Sequence, residues 1–138
     1  MTHDLSRLTR MPDLRDAPNA HARLVCAMRE AHVARVARKC CRSALVRYFG
    51  TMDAVRAFRV FMDEAGRAWP DPIVLNPECQ PLLSFDEKVL VDLVTAAAKN
   101  ERERFDAFVG EMIDRAGRNA IWYAARRLLR HLIPSLST

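Results

Sequence analysis

The sequence predicts an all-α fold, a compact bundle of about five helices, and three observations carry that prediction. Apolar residues recur at spacings of three and four along several long stretches, the signature of helices with one buried face. Residues that start or stop helices stand at the ends of those stretches, most clearly Gly50-Thr51 and Ser84-Phe85-Asp86-Glu87. Only one β-type run occurs, Ile73-Val74-Leu75, and no second run offers it a partner within the chain. At 138 residues the chain has the length of one domain and enough material for a core without disulfides or metal. Residues 1–18, punctuated by Pro12 and Pro18, read as a loosely ordered arm, and residues 19–134 as the helical domain.

In chain order, Asn19 is a plausible N-cap, and a helical pattern runs from there to Phe49. Leu24, Val25, Met28 and His32 share one side, and Val33, Val36, Ala37, Cys40, Cys41, Ala44, Leu45 and Tyr48 continue the stripe. Its length exceeds that of a typical globular helix, so a break is expected around residues 30–34. Gly50 is a natural left-handed stop and Thr51 an N-cap for a second pattern, Met52 to Ala68, which buries Val55, Phe58, Phe61, Met62 and Ala65. That helix must end near Trp69, because Pro70 forces the preceding residue out of the helical region. Four of the seven prolines, at 70, 72, 77 and 81, make residues 70–83 an extended connection, with room at 73–75 for one small strand.

Ser84 and Glu87 form a capping-box pair, and Asp86 adds negative charge where the helix dipole is positive. The helix at 84–99 is expected to bury Phe85, Val89, Leu93 and Ala96 or Ala97, with Lys88, Asp92, Thr95 and Lys99 on its wet side. Asn100 to Arg104 reads as a turn or a solvated helical segment. A stripe of Phe105, Phe108, Val109, Met112, Ile113 and Ala116 follows, interrupted at Gly117. The last pattern, Asn119 to Leu132, turns Ile121, Ala125, Leu128, Leu129 and Leu132 inward and stops at Pro134.

Composition narrows function more by exclusion than by assignment. No apolar run approaches the roughly 18 residues a transmembrane helix needs. MTHDLSRLTRMPDL lacks the apolar core of a secretory signal, so a cytoplasmic, reducing compartment is expected, with Cys26, Cys40, Cys41 and Cys79 as thiols. The net charge of +5 is uneven: +7 over residues 1–60, −5 over 61–110 and +3 over 111–138. That suits a nucleic acid, an acidic partner, or contact with a second copy's acidic middle.

Catalytic templates are missing: no glycine-rich phosphate loop, no GxSxG and no HExxH. Glu101, Glu103 and Asp106 alternate with Arg102 and Arg104, which reads as ion pairing along a helix rather than a catalytic carboxylate pair. The chain is therefore expected to be no enzyme and to carry no cofactor. The most prominent basic feature is Arg35, Arg38, Lys39 and Arg42, extended by Arg47, in a region without an acidic residue from Ala31 to Met52. Such a stripe neutralises phosphates, or is simply a solvated helix face. Arg126, Arg127 and Arg130 offer a second basic face beside Tyr123 and His131. Adjacent Cys40 and Cys41 diverge by about 100° if helical, which favours packing over shared metal binding. No CxxC or other zinc spacing occurs, and no metal site is expected. Cys79, alone in the proline segment, is the thiol most open to reaction.

Ala22, Arg23, Leu24, Ala27 and Arg29 are followed at a distance by Pro77, Cys79, Pro81, Ser84, Asp86 and Glu87. Through these, residues 19–97 resemble an uncharacterised family of short alphaproteobacterial proteins with a domain of unknown function. The family pattern is richer in cysteine, where this chain has Glu78 and Gln80 around Cys79. The resemblance implies the same order of elements: paired helices, a short apolar extended run, a proline-cysteine segment and a capped helix. It implies no activity. The leading expectation is a non-enzymatic helical module that binds a protein partner or itself. A small DNA-binding regulator using the 35–47 basic face is the alternative, and a thiol or metal sensor centred on Cys79 a further one.

Overall fold

A computed structural model describes residues 19–136, with side chains described through residue 132. The arm expected at 1–18 lies outside the described residues. Six helices follow in order: α1 (Asn19–Val36), α2 (Arg42–Phe49), α3 (Met52–Ala68), α4 (Phe85–Ala98), α5 (Arg102–Val109) and α6 (Arg115–Leu136). No strand occurs among the described residues, so the all-α reading holds and the small strand envisaged at 73–75 does not form. Among them, no helix is long and apolar enough to cross a membrane.

Most boundaries follow from local chemistry. The Thr51 hydroxyl accepts the Ala54 N–H at 3.1 Å, Gly50 stops α2 at φ 86°, and Trp69 is extended ahead of Pro70. The capping box forms as expected: Glu87 N–H donates to Ser84 Oγ at 3.0 Å, and Ser84 N–H donates to Glu87 Oε1 at 2.8 Å. Three boundaries differ from expectation. The break after α1 falls at 37–41, not 30–34, because Arg38 adopts the left-handed conformation at φ 56°. Lys39 N–H then bonds the Ala34 carbonyl at 2.8 Å and Arg38 N–H the Arg35 carbonyl at 3.1 Å, a Schellman closure around a residue that is not glycine. Asn100 closes α4 in the same way, at φ 56°. The last helix begins at Arg115, with Gly117 N–H donating to Asp114 Oδ1 at 2.8 Å, and it runs past Pro134.

The core is built on the α3–α6 pair, with α4 packed against α5 and α6, and α1 resting on α2 and α4. Phe58, Phe61, Phe105, Leu90, Leu93, Ile121 and Leu128 are fully buried within it. Phe105 meets Trp122 edge-on at 5.1 Å between ring centroids, and the Arg102 guanidinium lies 5.3 Å from the Trp122 ring centre. The α4 helix buries residues on nearly every side, yet Phe85, expected in the core, is 67 % exposed at its first turn. The expected ion pairing along α5 is present, with Arg102 to Asp106 at 3.0 Å and Arg104 to Glu101 at 3.5 Å. Only the first half of α1 is packed. Val33 and Val36, expected to be buried, are 47 % and 71 % exposed.

Candidate functional site

Two features set the site: a buried ion pair and the groove beside it. The Arg29 guanidinium, 1 % exposed, grips the Glu87 carboxylate, 0 % exposed, through two bonds: Nε to Oε2 at 2.8 Å and Nη2 to Oε1 at 2.9 Å. Its remaining donors reach the proline segment, Nη1 to the Gln80 carbonyl at 2.6 Å and Nη2 to the Leu82 carbonyl at 3.0 Å. Glu87 in turn accepts the backbone N–H of Asn76 at 3.0 Å and of Ser84 at 2.8 Å. The hydrogen bond to Glu87 raises the Arg29 pKa further above its ordinary value, so this cation never titrates in practice. One pair thereby ties α1, the 70–83 connection and α4 together.

The same connection satisfies its own backbone. Val74 N–H donates to Asp86 Oδ2 at 2.8 Å, and Ser84 Oγ donates to the Val74 carbonyl at 2.7 Å. These side-chain partners occupy the edge of the run on which the Val74 backbone lies. Extended geometry turns successive side chains to opposite sides. Ile73 and Leu75 point back into the molecule, while Val74 is 61 % exposed.

Ile73 and Leu75 form one wall of a groove of about 1060 Å³. The second half of α1 forms another wall, with His32, Arg35, Val36 and Lys39. The third is α3, with Phe58, Arg59, Met62, Asp63, Gly66 and Arg67, closed at its end by Trp69. The floor is apolar and the α1 rim basic. Cys41 lies in this groove, where Arg59 Nη2 approaches its Sγ at 3.5 Å. The groove exists because α1 leaves the core after Glu30 and nothing among the described residues packs into the gap.

The candidate residues from the sequence divide. Arg35 and Lys39 line the groove, Arg38 sits in the left-handed turn, and Arg42 and Arg47 belong to α2; all five are exposed. The helix break therefore spreads the stripe over two helices and a turn instead of one helical face. Of the second basic face, Arg127 and Arg130 are exposed, but Arg126 donates to the Ala97 carbonyl at 2.8 Å and so caps the end of α4. Cys40 and Cys41 lie in the turn before α2, not within a helix. Cys40 and Cys79 are exposed and Cys26 and Cys41 half-buried, so of the adjacent pair expected to pack only Cys41 meets the core. Cys79 occupies a turn where Gln80 N–H bonds the Pro77 carbonyl at 3.0 Å. Among the described residues no three metal-binding side chains converge.

A second, smaller cavity of about 150 Å³ lies between the start of α1 and the ends of α2, α4 and α6. His21 Nε2 faces Thr95 Oγ1 there at 3.1 Å. The Thr95 hydroxyl gives its one proton to the Val91 carbonyl at 2.8 Å, so Nε2 carries the imidazole proton and donates. Burial lowers the His21 pKa, opposed by Asp92 and assisted by Lys99. Tyr48, also lining this cavity, is pushed up to about 12 by its hydrogen bond to Glu30 and by burial.

Sequence reasoning missed the Arg29–Glu87 pairing, although both residues stood among those carrying the family resemblance. It missed the groove altogether. An arginine directly after the apolar run Leu24–Met28 was the one available signal for the pair, since a charge is buried only when it is paired. No family model, no curated protein and no solved structure matches this chain.

Proposed function

We propose that this protein is a non-enzymatic interaction module that binds a segment of a protein partner in the groove between α1 and α3. The supporting observation is the groove itself. It has an apolar floor, two helical walls and a third wall fixed by a buried ion pair, and it is flanked by Val36, which stays exposed on a helix. Apolar surface gathered in a concave, pre-formed place is the usual basis of recognition. A cytoplasmic place of work belongs to the same proposal. In-cell photo-crosslinking tests it. A photoreactive residue at Val36, on the groove wall, should give a discrete adduct, whereas one at Glu103, exposed on α5, should give none. The adduct's mass tells a second copy from a different partner. No adduct from Val36, or equal labelling from both positions, refutes the proposal.

A second reading, DNA binding, is supported by Arg35, Arg38, Lys39, Arg42 and Arg47, which are exposed and make no ion pair with a described residue. Anisotropy with mixed-sequence duplex DNA tests it: affinity should fall steeply as salt rises and vanish when these residues become Gln. Undiminished binding by the Gln variant sinks it.

A further inference from the structure

The groove's walls indicate which kind of segment fits, an inference that rests on the preceding reading. The α1 rim presents Arg35 and Lys39, and with Arg59 and Arg67 the four cations of the lining outnumber its two carboxylates, Asp63 and Asp71. The α3 wall holds an unusual residue for its place, Gly66. It lies in the last turn of α3 and faces the groove, and a Cβ built on it would meet nothing within 4 Å. Within a helix, glycine is a weaker helix former than alanine. The free chain gives no compensating contact and no left-handed φ to require it. A second backbone passing close over α3 would supply the reason, because glycine permits close approach.

We infer that the groove takes an amphipathic helix with an acidic flank. It crosses α3 at Gly66, its apolar stripe rests on Met62, Ile73 and Leu75, and its acidic flank faces Arg35 and Lys39. The size agrees: about 1060 Å³ holds roughly two to three turns of a helix about 10 Å across. The walls are themselves helices presenting residues at spacings of three and four, the surface into which another helix packs ridge into groove.

The test is a selection from a displayed library of 16-residue helical peptides against the full chain, followed by anisotropy with the most enriched peptide. Enriched peptides should carry an apolar stripe with Asp or Glu along one flank. Arg35→Glu/Lys39→Glu should weaken binding about tenfold and reduce its salt dependence. Gly66→Ala should raise the melting temperature or leave it unchanged, which shows an intact fold, yet weaken binding about fivefold or more by filling the crossing point. Neutral or basic enriched peptides, no enrichment, or affinity indifferent to Gly66→Ala overturns the inference. If Val36 still crosslinks a partner in cells after such a result, the groove reading stands and only its occupant is wrong. If duplex DNA binds, is lost in the double charge reversal and ignores Gly66→Ala, the basic rim serves a nucleic acid and the helix is again the wrong occupant.

Discussion

Removing one charge from the Arg29–Glu87 pair strands the other where water does not reach. Glu87→Gln leaves the Arg29 guanidinium, 1 % exposed, facing a neutral amide. The new amide nitrogen must also face either the Ser84 or the Asn76 N–H. Breaking a buried pair on one side costs about 3–5 kcal/mol, and urea denaturation should show a loss of that order. A loss below about 1 kcal/mol would mean that the pair is solvated and ties nothing together. The His21 ring gives a second residue-level prediction. Its folded pKa lies below the ordinary 6.5, because burial disfavours the charged ring. Above pH 6.5 neither folded nor unfolded chain binds the proton, and stability is at its full value. As pH falls below 6.5 the unfolded chain takes up the proton first, so stability drops until the folded pKa is passed. His21→Gln should flatten the urea midpoint between pH 7 and 5 relative to the parent chain; an unchanged slope contradicts the assignment.

At the scale of elements, the helices were legible wherever a cap was spelled out locally. Ser84 with Glu87, Thr51 and Gly50 are short-range signals, and each boundary they imply is present. The break after α1 was misplaced because Arg38 takes a position that glycine usually fills, and an arginine there carries no signal. Arg38→Gly should relieve about 1 kcal/mol of left-handed strain and raise the melting temperature. The two helical glycines should behave oppositely. At Gly117 a Cβ would lie 2.7 Å from Ile113 Cγ2 and 3.0 Å from Ala68 Cβ, where α6 starts against the end of α3. Gly117→Ala should therefore destabilise by about 1–3 kcal/mol, while Gly66→Ala stabilises by up to about 1 kcal/mol. Thermal denaturation of both variants checks the contrast, and equal signs would contradict the packing described for α3.

For the whole molecule, fold class was readable because periodicity is a property of each segment alone. The groove was not, because it arises where α1, α3 and the 70–83 connection meet. The stripe on α1 gave Val33 and Val36 the pattern of buried residues; whether a neighbour reaches them depends on where α3 and α4 lie. The Arg29–Glu87 pair spans 58 residues, and no local pattern announces it. Nor does charge distribution reveal that Arg126 caps α4 while Arg127 stays in solvent. The account's central claim is that the second half of α1 is left unpacked for a partner. Amide hydrogen exchange tests it most directly, because protection follows local packing. In the free protein, amides of residues 33–39 should exchange far faster than those of 24–30, and saturation with a peptide selected on the groove should slow them together with 58–67. Uniform protection along α1 in the free protein, or no slowing at saturation, would contradict it.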